Sequence, residues 1–252
     1  MRKLWVRWAL LIVFVAILGT VFVNLGDWQL RRLDDRKERN SHTVTNEAQP
    51  VRPFTEVFTH RIGTADEWQR VEARGVFDGV HQFVVRYRSA GDAPSYSVVT
   101  PLRTDAGTVL VNRGLIPLGA LNEVPTTGPP PPAGVVTVVG HVRADEKGRR
   151  SAIMPANGSV RYINSEALAT ALPYPVLNGY IGLLTVDPPQ TGGFRPVQTP
   201  ELSDGPHFWY AVQWFLFAGL AVLGIVVFIR GDIRERRAAE QPERKVEASS
   251  SV

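Results

Sequence analysis

The stretch WALLIVFVAILGTVFVNL, Trp8 to Leu25, carries no charge over 18 residues, and FWYAVQWFLFAGLAVLGIVVFI, Phe208 to Ile229, repeats the pattern over 22 near the other end. At about 1.5 Å rise per helical residue the two runs reach roughly 27 and 33 Å, against a bilayer hydrocarbon core of about 30 Å. Both are long enough to span. Arg2, Lys3 and Arg7 precede the first run, and Arg230, Arg234, Arg236, Arg237, Arg244 and Lys245 follow the second. Basic flanks stay inside, so both termini are expected in the cytoplasm and the segment between the spans outside it.

That division relocates the charge. The chain has 28 bases and 24 acids; removing three bases before the first span and six bases and five acids after the second leaves nineteen of each between the spans. The exported part is neutral, so the high pI does not describe a nucleic-acid-binding surface. No small-residue cleavage site follows the first run, which reads as an uncleaved anchor, and no arginine-rich, acid-poor transit segment precedes it. A bacterial plasma membrane is the expected location. Cysteine is absent, which excludes thiolate nucleophiles and disulfides, and Met154 is the one methionine beyond Met1, so a soft copper site has no ligands to draw on.

The organisation expected is a cytoplasmic N-terminus at 1–7, a span at 8–25, an extracytoplasmic domain at 26–206, a second span at 207–229 and a disordered cytoplasmic tail at 230–252. Leu25, Trp28, Gln29, Arg32 and Arg36 recur at helical spacing, extending the first span before Pro50 and Pro53 break it. From Trp68 the period falls to two, as in Phe83–Tyr87, Ser97–Thr100 and Thr108–Asn112, with Asp105-Ala106-Gly107 as a turn. Four prolines at 129–132 make a stiff surface connection. Val135–Val142 reads as a strand with Val136, Val138, Gly140 and Val142 on one face, Asn164–Leu172 as a short capped helix, and Gly179–Val186 as a last strand. About seven strands and one helix predict an antiparallel β-barrel or sandwich in an α+β domain, flanked by two transmembrane helices.

Polar and aromatic residues gather at the outer ends of the spans. Trp28, Gln29 and Arg32 follow the first; His207, Tyr210, Gln213 and Trp214 open the second, with His207, Tyr210 and Trp214 on one helical face. Imidazole is a haem-iron ligand, yet a lone histidine in an aromatic belt needs none, and the spacing alone favours the belt. Arg113, at the end of an apolar strand, calls for an acidic partner in a buried ion pair or for a role facing a partner or the membrane. No pair of histidines has metal-ligand spacing, and no nucleophile elbow, metalloprotease sequence or phosphate loop is present. An enzyme is not expected.

Five blocks in order, Leu25-Gly26-x-Trp28-Gln29-x-x-Arg32, Gly75-x-Phe77-Asp78, Val99-Thr100-Pro101-Leu102, Val111-Asn112-Arg113-Gly114 and His207-x-x-Tyr210-Ala211-x-Gln213-Trp214-Phe215, resemble the Surfeit-locus family of cytochrome c oxidase assembly factors. The resemblance implies a non-enzymatic membrane protein that assists insertion of haem a into subunit I of a haem-copper oxidase, with haem a synthase as a further partner. It implies His207 as haem ligand. On that basis haem a is expected between the spans near the outer leaflet, with Trp28, Tyr210 and Trp214 as aromatic walls, and Gln29, Arg32, Arg113 and Gln213 are expected at a partner or membrane interface. The alternative is a structural subunit that braces the oxidase or a respiratory supercomplex without touching cofactor.

Overall fold

The computed structural model describes residues 2–91, 93–119, 123–197 and 202–249. In chain order the elements are α1 (Arg2–Glu47), β1 (Arg52–Pro53), α2 (Phe54–Val57), β2 (Arg70–Phe77), β3 (Phe83–Ala90), β4 (Ala93–Thr104), β5 (Gly107–Pro117), β6 (Val135–Arg143), α3 (Arg150–Ile153), β7 (Ser159–Val160), α4 (Ser165–Ala169), β8 (Tyr180–Asp187) and α5 (His207–Ser249). They form two compact units, one of residues 1–40 with 202–252 and the other of residues 41–201.

The first unit is a pair of long helices. Leu11, Val15, Leu18, Phe22, Gly26, Gln29 and Leu33 of α1 turn one shielded stripe to the pair, and His207, Ala211, Trp214, Ala218, Ala221 and Ile225 do the same for α5. Cross-helix contacts run in opposite senses, from Gln29 with His207 through Phe22 with Trp214 to Trp8 with Asp232, so the helices are antiparallel. Both are long and apolar enough to cross a membrane, and only 6% and 0% of their most apolar windows are buried. A soluble fold would hide such surface; a bilayer solvates it.

Two helical boundaries differ from expectation. α1 continues to Glu47, and α5 runs through the segment expected to be disordered as far as Ser249, because alanine, glutamate and arginine there are good helix formers.

The second unit is built on an eight-stranded sheet, one strand more than expected. Five of its strands close a ring in the order β2–β6–β8–β5–β4 and back to β2, a Greek-key barrel of the OB-fold class rather than a sandwich. β5 and β8 are parallel, with Val111 opposite Ile181, and the other ring pairings are antiparallel. Closure between β2 and β4 rests on two pairs, Val76 with Arg103 and Phe77 with Leu102. Val71, Val109, Val111, Val138, Ile181 and Leu183 fill the interior, as the alternating valines foreshadow. A second cluster, Phe83, Val85, Leu110, Ile163 and Leu168, lies under α4. Asn164 caps α4 by accepting from the Ala167 amide at 2.9 Å, and Thr104 Oγ1 donates to the Gly107 carbonyl in the predicted β4–β5 turn. The one-turn helices α2 and α3 have no counterpart in the periodicity, being too short to show one.

Candidate functional site

The first unit gathers several of the expected residues at one end of its seam. Pro206 precedes His207, and its carbonyl accepts from the Tyr210 amide at 3.2 Å, closing the first turn of α5. His207 Nδ1 lies 2.8 Å from Oε1 of Gln29. A carboxamide oxygen only accepts, so this contact places a proton on Nδ1 and leaves Nε2 as the ring nitrogen outside it. The contact also fixes the orientation of the imidazole ring. Two turns further along α5, Trp214 stacks against Phe22 at 5.6 Å and meets Phe217 edge-on at 5.9 Å.

Between these layers the seam is shut. Ala211 is buried, and a Cβ on Gly26 would lie 2.7 Å from the Phe215 ring, so glycine is what lets the helices approach. The two helices are therefore in direct contact between the Gln29–His207 and Phe22–Trp214 layers. Trp28 and Tyr210 stand outside the seam, 46% and 47% exposed. Arg32 lies over the Trp28 ring at 5.8 Å, and together with Arg31, Asp34 and Asp35 they line a shallow depression on the outer face of α1. Gln213 is exposed as well. The structure thus joins His207, Gln29 and Trp214 along one seam and leaves Trp28, Arg32, Tyr210 and Gln213 facing away from it.

A profile of the SURF1 family matches residues 16–219. The chain belongs to the SURF1 family. Proteins named as uncharacterized SURF1-like proteins from Mycobacterium bovis and from two strains of Mycobacterium tuberculosis are each 28% identical to it over 235 residues, 91% of this chain and 85% of theirs. The SURF1 match takes in the Gln29–His207 pair and the whole barrel. Outside it lies a polar lock at the other end of the seam, where Trp8 Nε1 donates to Asp232 Oδ2 at 2.9 Å and Arg7 approaches Oδ1 at 3.4 Å. Sequence reasoning missed Asp232 because it sits among basic residues that look like a uniform flank.

Arg113 requires a correction. It is 1% exposed in the barrel unit, so it faces neither a partner nor lipid, and among the described residues its hydrogen-bond partners are all neutral oxygens. Its Nε donates to Gln190 Oε1 at 3.1 Å, Nη1 to Gln82 Oε1 at 2.9 Å and to the Pro129 carbonyl at 2.8 Å, and Nη2 to the Pro130 carbonyl at 3.1 Å. Phe194 stacks on the guanidinium at 4.5 Å. Burial pushes its pKa down to about 10, and carbonyl dipoles replace the expected acid. The proline segment lies at the surface as expected and is also a strap, tied to the barrel from beneath through the Pro129 and Pro130 carbonyls. Nothing in the sequence near Arg113 signals this, since Gln82 and Gln190 are distant along the chain.

Asp78, in one of the family-like blocks, organises the turn after β2. Its Oδ1 accepts from the Val80 and His81 amides, and its Oδ2 from Tyr174 and from His81 Nδ1. Burial alone raises this carboxyl, but the Tyr174 and His81 hydrogen bonds outweigh it and hold the pKa below the usual value. Among the described residues no group of three or more histidine, cysteine, aspartate or glutamate side chains is arranged to hold a metal ion.

Proposed function

We propose that this protein is an assembly factor for a haem-copper cytochrome c oxidase in a bacterial plasma membrane, handing haem a toward subunit I after its release from haem a synthase. In this reading both termini are cytoplasmic, the barrel is outside, and the protein catalyses no reaction. The observation that carries it is the hydrogen bond from His207 Nδ1 to Gln29, which orients the ring and leaves Nε2 outside that contact at the mouth of a span. A transient holder benefits from one oriented nitrogen and an open site, because full enclosure would slow release. Since the seam is closed at Gly26 and Phe215, haem a would be held at the edge of the helix pair, where Tyr210 and Trp28 offer exposed aromatic surface, rather than between the spans.

The bracing alternative draws support from the outward face of Trp28 and Arg32, which suits docking against another membrane protein. A reduced-minus-oxidised spectrum of the full-length protein, purified from cells that make haem a, separates the two. The holder carries a haem a signal that His207→Ala abolishes or shifts while membrane insertion persists. An unchanged signal in His207→Ala removes the ligand assignment, and absence of haem from the unsubstituted protein favours the brace.

A further inference from the structure

The barrel unit encloses a cavity of about 360 Å³ that the reading above does not use, bordered by strands β3 to β6 and β8. Its size falls in the range of about 300–1,000 Å³ typical of small-molecule sites.

Three features distinguish it from a packing gap. Among the described residues three non-glycine positions have positive φ, and two of them, Trp68 (φ 71°) and Tyr87 (φ 60°), line this cavity. Aromatic residues are disfavoured in left-handed backbone, a strain of about 1–3 kcal/mol each that persists only where surrounding structure enforces it and that clusters at binding sites. Tyr87 sits in the register shift of the β3–β4 pairing between Val85 and Arg88, and is 73% exposed beside the opening, with Arg161 stacked at 4.4 Å. Trp68 is held by its amide bond to the Val142 carbonyl at 3.0 Å and by Arg143 over its ring at 4.0 Å.

The second feature is unmet polarity. Ser97 Oγ and His141 Nε2 both belong to buried lining residues, and neither atom has a hydrogen-bond partner. Buried polar atoms left unpaired cost about 1–3 kcal/mol each, so two beside one cavity call for an explanation.

The third is a set of open donors. Arg143 gives Nε to Glu67 at 3.1 Å, and Arg88 gives Nη2 to both oxygens of Glu146 at 2.8 and 2.7 Å. Among the described residues each guanidinium keeps further N–H groups without an acceptor. Both arginines are thus already paired, and the Glu47 carboxylate stands 3.9 Å from His141 Nε2, so what the lining offers an anion is the open remainder of each guanidinium fork rather than an excess of charge. Fixed, forked donors of this kind suit a carboxylate.

We infer that this cavity is a binding site for a small, flat organic monoanion, its carboxylate taken by Arg143 and Arg88 and its ring by Trp68 and Tyr87. Ser97 and His141 then gain the partner that the protein itself does not supply. The site is independent of the helix pair and of haem.

Fluorine NMR of para-fluorobenzoate, titrated into the purified full-length protein in detergent, tests this, with para-fluorobenzylamine as a cation of the same shape. Saturable binding of the acid at least tenfold tighter than the amine is expected. Arg143→Gln should weaken it at least tenfold. Tyr87→Gly should weaken it several-fold without lowering thermal stability, since glycine relieves the positive φ and the side chain is mostly exposed. Because Tyr87→Gly does not disturb the interior, its result stands even where Arg143→Gln folds poorly. No saturable binding, equal binding of acid and amine, or unchanged affinity in Tyr87→Gly would overturn the assignment.

Discussion

Replacing Arg113 with methionine measures how much of the barrel is held by one buried cation. Its pKa, lowered from 12.5 to about 10, means that keeping the charge inside costs roughly 3 kcal/mol, which methionine does not incur. Against that stand four hydrogen bonds from a charged donor, each contributing about 1.5–3 kcal/mol, and their removal strands Gln82, Gln190 and two proline carbonyls. The carbonyls of the strap can regain water; the glutamines are less able to. The net loss for Arg113→Met is therefore about 3–5 kcal/mol, the range for breaking a buried charged network from one side. Pulse proteolysis of the full-length protein across a urea series reads the barrel without interference from the membrane helices. With a slope of about 1–3 kcal/mol per molar, the midpoint should fall by roughly 2 M. Arg113→Lys should recover less than half, because an ammonium cannot reach acceptors on both sides. A midpoint for Arg113→Met within about 0.3 M of the parent, an effect under roughly 1 kcal/mol, would refute the view that the cation holds the strap.

Gln29→Leu should weaken haem retention by about 10–100-fold without impairing insertion, since it removes the acceptor that fixes the His207 tautomer; haem titration of the purified variant reports it. Gly26→Val places methyl groups into the Phe215 ring and should cost about 1–3 kcal/mol of helix pairing, read as lost cross-linking between Phe22→Cys and Trp214→Cys in a chain that otherwise lacks cysteine. Burial lowers the His141 pKa below 6.5, so on acidification the unfolded chain takes up a proton before the folded barrel does. Stability should then decline as pH drops below about 6.5 and level off below the folded pKa, and His141→Gln should remove that part of the slope in urea titrations.

The elements that announced themselves did so through period and punctuation. Two uncharged runs gave the spans, alternating valines at 136, 138 and 142 gave a barrel face, and Asn164 before a short apolar segment gave a capped helix. Ring closure was not legible, because pairing β5 with β8 and β2 with β4 depends on long-range register rather than on local pattern. At the helix mouths, shared spacing placed Trp28 with Gln29, but one residue is a turn of about 100° on a helix, enough to send Trp28 outward and Gln29 to His207. Arg113 misled for a related reason: a cation in an apolar strand signals burial, while the identity of its acceptors is set by chain segments that composition cannot order.

The two-pair contact between β2 and β4 makes the barrel a rolled sheet whose lips barely meet. Along the other ring joints the strands share longer ladders, so thermal breathing will part the sheet at Val76 and Phe77 first, and amide hydrogens there should exchange well ahead of those in β6 or β8. Gly75 lies beside this joint, where any Cβ would strike the Arg103 carbonyl, so even alanine there would wedge the lips apart. A cylinder closed this lightly can loosen at one edge while its valine interior stays intact.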